Sequence, residues 1–256
     1  IGRIGQSGWM IILVTATEYL PHQEKWVEKL TERIPQIETI VHNVNGKRTN
    51  VILGPKNHIL YGDGTITDHI KDLQFTLSPH SFFQVNPEQT TVLYDQALAY
   101  ADLKGDETVI DAYCGTGTIS LFLAHKAKHV IGIEIVEPAI INARENAQRN
   151  GYDNTEFIVA DAAVEMPKLY NAGVRPDVIV FDPIRAGCKE EVLTSAAGMK
   201  PKRIVYVSCN PATMARDIEI LTHYGYELQE VQPVDMFPMT AHVEAVALLT
   251  RSKATQ

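Results

Sequence analysis

The sequence predicts an α/β fold: a mainly parallel sheet with helices on both faces, an antiparallel terminal hairpin, and a small α+β segment in front. Three observations carry this. From about residue 88, short apolar runs alternate with longer stretches that suit helices. Those runs are nearly continuously apolar, as in strands buried on both faces, where alternation would mark a half-exposed sheet. The first of them ends in a glycine turn, "DAYCGTGT" (111–118), that opens straight into a helical stretch.

The elements follow in order. Residues 1–75 read as short strands around one helix. "MIILVT" (10–15) is a β-type run, and residues 22–34 place Trp26, Leu30 and Ile34 on one helical face before Pro35 stops the helix. "IETIVHNVN" and "NHILYG" are further strands, with Gly62, Asp63 and Gly64 as turn residues. This part is expected to be a scaffold or substrate-docking layer, with residues 76–256 as a second domain. There "ETVIDAYC" (107–114) precedes the helical "TISLFLAHKA". "HVIGIE" (129–134) precedes a helix closed by Gly151, and "TEFIVAD" (155–161) follows. "PDVIVFDP" (176–183), a polar helix, "RIVYVSCN" (203–210) and a helix from Pro211 to near Gly225 come next. The last two runs, "YELQEVQPVDMFP" and "HVEAVALLT", suit an antiparallel pair.

Composition narrows the function classes. The net charge of −8 lies wholly in residues 76–256, because residues 1–75 hold eight Lys/Arg and eight Asp/Glu. That balance argues against broad phosphate binding by this stretch, though a local basic groove is compatible with it. The three cysteines, Cys114, Cys188 and Cys209, are far apart and form no C-x-x-C pair, so neither a zinc site nor an iron–sulfur cluster is expected here. Lone cysteines suit a reducing cytoplasm. No apolar run approaches a membrane span, the sequence opens with Ile1 rather than Met, and no charged-then-apolar signal peptide precedes a small-residue cleavage site in it. The expectation is a soluble cytoplasmic monomer that is a fragment of a longer chain.

The glycine turn carries the first chemistry. Gly115 and Gly117 let backbone pass close to a ligand, and Glu134 closes the next strand 19 residues after Gly115. A carboxylate there suits the hydroxyls of a nucleoside ribose. Ser120 stands where a dinucleotide fingerprint has its third glycine, which weakens an NAD reading. Asp161, at the end of the third strand, is placed to reach an adenine amino group. Together these features resemble the S-adenosylmethionine methyltransferase fold, and solvated acids beside an ordinary turn are the plainer alternative.

Ligands of open α/β sheets sit outside the carboxyl ends of the strands. Two further strands end there in "VFDPIRAGC" (180–188) and "VSCNPATMARD" (207–217), while "DMFPMTAHVE" (235–244) and "SFFQVNP" (81–87) flank the unit. In chain order, "SFFQVN", "DAYCGTGTISL", "IGIE", "FDPIRAG", "VSCNPATMARD" and "DMFPMTAHVE" resemble the motifs of the RNA uracil-5-methyltransferases, the class of ribosomal and transfer RNA enzymes, most of all those of 23S ribosomal RNA. The resemblance covers about 170 residues. Ile184 replaces the second proline of the family's D-P-P-R, which leaves Asp182 and Arg185 in place but puts the loop shape in question. The family's N-terminal RNA-binding domain is not visible.

The resemblance implies a reaction. Carbon 5 of uracil is too weak a nucleophile to take a methyl group until a thiolate adds to carbon 6, and a base must later remove the carbon 5 proton. Cys209 is then the nucleophile, at a strand end and before a helix whose positive end favours thiolate. Glu244 is the base, sharing a strand face with His242 if that segment is extended. By resemblance Gln84, Tyr113, Glu134 and Asp182 line the S-adenosylmethionine site, with Asp161 added from the adenine argument. Phe82 and Phe83 are stacking surfaces for RNA bases or core residues. Arg185 contacts the target nucleotide or forms an ion pair. Cys114 and Cys188 are packing residues, and no metal is expected at His242. Amino-group methylation of adenine lacks its aromatic after the acidic motif, and DNA cytosine-5 methylation would show Pro-Cys. A non-catalytic RNA-binding module leaves the motif set unexplained. The expected partner is RNA, ribosomal in preference to transfer RNA.

Overall fold

The computed structural model describes residues 1–49 and 51–252 of the 256-residue chain, which divides into two compact units, Ile1–Phe83 and Gln84 onward. In the first unit, β1 (Gly2–Ile4), β2 (Trp9–Thr15), β3 (Ile37–Val44) and β4 (Lys56–Tyr61) form one sheet in that order. β2 and β3 run parallel because helix α1 (Gln23–Arg33) carries the chain back between them. Ile40 and Val41 on β3 and Met10 and Ile12 on β2 are buried. A separate hairpin, β5 (Ile66–Ile70) with β6 (Leu73–Leu77), turns at Lys71 in the left-handed region. The stripe expected on α1 is not a core face. Trp26 is 52% exposed and no residue of α1 is fully buried, so the helix lies on the sheet by half-covering Val27, Leu30 and Ile34.

The second unit is the α/β fold. Its seven-stranded sheet has the order β12–β13–β11–β10–β7–β8–β9. Five contiguous strands, running to the β9 edge, are parallel: β7 (Thr108–Asp111), β8 (His129–Glu134), β9 (Thr155–Val159), β10 (Val178–Phe181) and β11 (Arg203–Ser208). β12 (Tyr226–Val234) and β13 (Glu244–Arg251) form the antiparallel hairpin, with β13 inserted beside β11. Val109, Val130, Val180 and Val205 are buried to below 1%, as strands covered on both faces require.

Helices α5 (Ala162–Asn171), α6 (Glu190–Met199) and α7 (Pro211–His223) pack side by side over one core, where Met166, Val192, Leu193 and Met214 meet Ile179, Phe181 and Tyr206. Helix α3 (Thr118–Ala124) packs on β7 and β8, and α4 (Glu137–Arg149) on β8 and β9. Gly151 (φ 74°) follows α4 as expected. One helix has no counterpart in the sequence reading: α2 (Pro87–Ala101), capped by Asn86 and packed on β11 and β13. Its Leu93, Tyr94, Ala97, Tyr100 and Ala101 are buried at helical spacing, but the β-branched "TTV" (90–92) obscures the pattern in the sequence. Among the described residues no helix is long and apolar enough to cross a membrane, and no group of three or more His, Cys, Asp or Glu is placed to hold a metal.

Candidate active site

The chain leaves β7 in one direction to build β8 and β9, then returns to its other side for β10 and β11. The strand order therefore reverses between β7 and β10, where open α/β sheets leave a crevice at their carboxyl ends. Asp111 pairs with Val180 in the register, so Tyr113 and Asp182, two residues further along each strand direction, flank that crevice.

The glycine turn forms one wall. Gly115 (φ 53°) and Gly117 (φ 82°) adopt left-handed backbone, and a Cβ on Gly115 would meet no protein atom. Half-buried Glu134 accepts the Gly115 N–H at 3.3 Å and the Val136 N–H at 2.9 Å, one on each carboxylate oxygen. Each oxygen keeps a lone pair for a further donor. Ser120 explains itself here: its buried hydroxyl donates to Asp111 Oδ2 at 2.7 Å. Asp111 is fully buried, and desolvation pushes its carboxyl up to about 6 despite that bond. Asp161 caps α5 by accepting the Ala163 N–H at 2.9 Å and pairs with Lys189 at 2.8 Å, which together hold its carboxyl below the usual value.

The loop after β10 and the first turn of α7 are tied together. Asn210 caps α7 and donates its Nδ2 to the Arg185 carbonyl at 3.0 Å, which also accepts the Thr213 hydroxyl at 3.2 Å. Arg216 donates to the Ala186 carbonyl at 3.0 Å. Gly187 (φ 78°) donates its N–H to the Ile184 carbonyl at 2.8 Å, closing a tight turn without the second proline. A Cβ on Gly187 would stand 2.6 Å from both Arg216 Nη2 and Asp217 Oδ2, so the backbone approaches α7 as closely as glycine permits. Ile184 itself is 77% exposed.

Cys209 follows β11 immediately and is half-buried. Ser208 pairs with Ala245 in the antiparallel register, which sets Cys209 level with Glu244 at the start of β13. The electrostatic neighbours of the Cys209 sulfur are Glu244, Arg185 and Asp182, so three distant motifs converge on one thiol. The expectation of a thiolate favoured by the helix end needs correction. Burial first, then the Glu244 and Asp182 charges, raise the thiol above its ordinary value, and Arg185 offsets only part. Glu244 is buried at 3% exposure, and desolvation raises its carboxyl while Arg185 pulls it back. Asp182 is raised by desolvation and then by Asp111 and Glu244.

His242 does not share a strand face with Glu244, because β13 begins at Glu244 and residues 237–240 turn through the Thr240 N–H to the Phe237 carbonyl. It sits instead 3.4 Å from the Arg185 guanidinium. Gln84 is buried just before α2, whose cap residue Asn86 donates to the Met236 carbonyl at 3.2 Å and so joins this segment to the one that leads into β13. Phe82 is 70% exposed and Phe83 packs on Phe75, both within the first unit. Cys114 and Cys188 are buried.

Tyr94 was not visible in the sequence as a site residue. Its buried hydroxyl bonds Thr118 Oγ1 at 3.2 Å, and the Asp182, Asp111 and Glu244 charges all act on it, which places α2 against the carboxylate cluster. The one signal for it was the apolar spacing of α2.

A family model described as tRNA (uracil-5-)-methyltransferase matches residues 21–252. A Halalkalibacterium halodurans protein named as an uncharacterized RNA methyltransferase is 58% identical over 94% of this chain and 52% of its own length. An Oceanobacillus iheyensis protein of the same description is 57% identical over 94% of this chain and 52% of its own. The chain spans about half the length of the curated relatives it matches. Among solved structures, the Pyrococcus abyssi tRNA (uracil-54, C5)-methyltransferase in complex with S-adenosyl-L-homocysteine superposes with a TM-score of 0.79. It is 31% identical, over 97% of this chain and 58% of that one.

Proposed function

The chain belongs to the tRNA (uracil-5-)-methyltransferase family, and from that premise we propose that it methylates carbon 5 of a uridine in 23S ribosomal RNA through a covalent bond from Cys209 to carbon 6. The observation that carries the reading is the convergence of Asp182 and Arg185 after β10, Cys209 after β11 and Glu244 at the start of β13.

The residues of the crevice fit a nucleoside methyl donor. Open space at Gly115 admits it close to the backbone, and the spare lone pairs of Glu134 suit two ribose hydroxyls. Asp161 is assigned to the adenine edge and Tyr113 to the flank of the cofactor, with Gln84 and Asp182 near the methyl group and the uracil. When bound, S-adenosylmethionine supplies an electrophilic methyl group.

The chain's own groups supply the rest. Cys209 releases its proton to solvent and adds as the thiolate to carbon 6, and the electron pair of the carbon 5–carbon 6 double bond becomes available at carbon 5 to take the methyl group. Arg185 favours the thiolate by its charge. Glu244 then removes the carbon 5 proton; the electrons re-form the ring double bond and expel the cysteine sulfur. A raised carboxyl suits a base, since it holds the abstracted proton more firmly than an ordinary glutamate. The target base must be unpaired or extruded to expose carbon 6. Residues 1–75 serve as the RNA-docking segment, and the protein acts as a cytoplasmic monomer.

Transfer RNA is the second reading, favoured by the likeness to the Pyrococcus abyssi enzyme. The test supplies the chain with S-adenosylmethionine and either ribosomal or transfer RNA tritiated at uracil carbon 5. Release of tritium from ribosomal RNA, abolished by Cys209→Ala, is expected. Release that survives that substitution removes the nucleophile assignment, and release from transfer RNA alone moves the substrate.

A further inference from the structure

The last residue of "VSCNPATMARD" has no role in the chemistry above, yet it is the most completely enclosed carboxylate of α7. Asp217 is 0% exposed. Its Oδ2 accepts the Tyr206 hydroxyl at 2.6 Å and the Cys188 N–H at 2.7 Å. Its Oδ1 accepts two bonds from Arg216, at 2.8 and 2.6 Å. The Tyr206 hydroxyl in turn accepts the Cys188 thiol at 3.6 Å, and half-buried Tyr113 packs against the core cluster that contains both residues. These donors point one way, from Cys188 through Tyr206 to Asp217.

We propose that Asp217 is a positioning residue for the methyl-donor site, fixing through hydrogen bonds the Tyr206 and Cys188 side chains of the core on which Tyr113 packs. The inference rests on the assignment of Tyr113 to the cofactor's flank. Four elements contribute one group each: the turn after β7, the loop before α6, β11 and α7. The chain takes its direction from its end, where the two Asp217 oxygens accept four hydrogen bonds. Burial pushes the Cys188 thiol up to about 12, so the sulfur keeps the proton it donates. Arg216 balances the Asp217 charge and also holds the Ala186 carbonyl, so the same pair anchors the Asp182 loop on the other side of the crevice. Charged hydrogen bonds of this sort are the stronger ones.

The test measures S-adenosylhomocysteine affinity by calorimetry and the thermal midpoint, using the 256-residue chain. The variants are Tyr206→Phe, Asp217→Asn, Tyr113→Phe and the double variant Tyr113→Phe/Tyr206→Phe. Tyr206→Phe keeps the ring packed on Phe181 and should fold even if Asp217→Asn does not. It is expected to weaken affinity about fivefold to tenfold, the loss of one hydrogen bond. The double variant should bind no worse than Tyr113→Phe alone, since the two act in series. A purely structural network would lower the midpoint and leave affinity unchanged. Undiminished affinity in folded Tyr206→Phe, or additive losses in the double variant, would overturn the inference while the cofactor reading stands. Absence of binding by the unsubstituted chain would overturn both.

Discussion

Among the described residues, Arg185 is the cation that acts on Cys209, set against Glu244 and Asp182. Removing it raises the thiol further. Arg185→Gln should therefore shift the rising limb of the pH–rate profile upward, with a loss of about tenfold near pH 7 that shrinks as pH rises. A uniform loss at every pH would mean that Arg185 acts only on RNA. The sequence named Cys209, Glu244 and Arg185 because fixed motifs surround them. It misjudged the thiol because a helix N-terminus is visible in "NPATMARD", whereas the burial and the two carboxylates that outweigh it come from elsewhere in the chain. His242 was misread for a related reason: alternation in "HVEAV" cannot reveal that the strand starts at Glu244.

At the scale of elements, the spacing of "SCNPATMARD" encodes a clamp. Asn210, Thr213 and Arg216 fall on successive turns of α7 and each takes a carbonyl of the preceding loop. Gly187 is where the loop touches that helix. Gly187→Ala adds a methyl 2.6 Å from Arg216 and Asp217 in left-handed backbone, so a loss of about 1–3 kcal/mol in urea denaturation is expected. Unchanged stability would show that the loop is free of the helix. Asn210→Ala removes the cap and should cost about 1 kcal/mol, with methyl transfer falling further than that stability loss accounts for. The strands and most helices were legible from their continuous apolar runs and glycine stops. Helix α2 was not, because Thr90, Thr91 and Val92 resemble strand residues and its buried face emerges only against β11 and β13.

For the whole molecule, burying carboxylates at the crevice works against folding stability. The Asp111 carboxyl lies at about 6 when folded, above its ordinary 3.8. Between those values the unfolded chain has released a proton that the folded chain retains, so this contribution to stability falls as pH rises and is level above about pH 6. Asp111→Asn abolishes the slope. Its stability relative to the unsubstituted chain should be greater at pH 7 than at pH 4 by on the order of 2–3 kcal/mol, and an equal difference at both pH values would refute the buried-acid assignment. The order of the sheet was not read from the sequence, although the parallel strands and closing hairpin were. Placing β13 beside β11 is what sets Glu244 level with Cys209. Covalent catalysis by that pair is tested most directly by incubating Glu244→Gln with S-adenosylmethionine and ribosomal RNA, digesting the product and mapping any protein–RNA bond by mass spectrometry. A methylated uracil adduct on the peptide containing Cys209 is expected; full turnover with free RNA, or an adduct on any other residue, would contradict it.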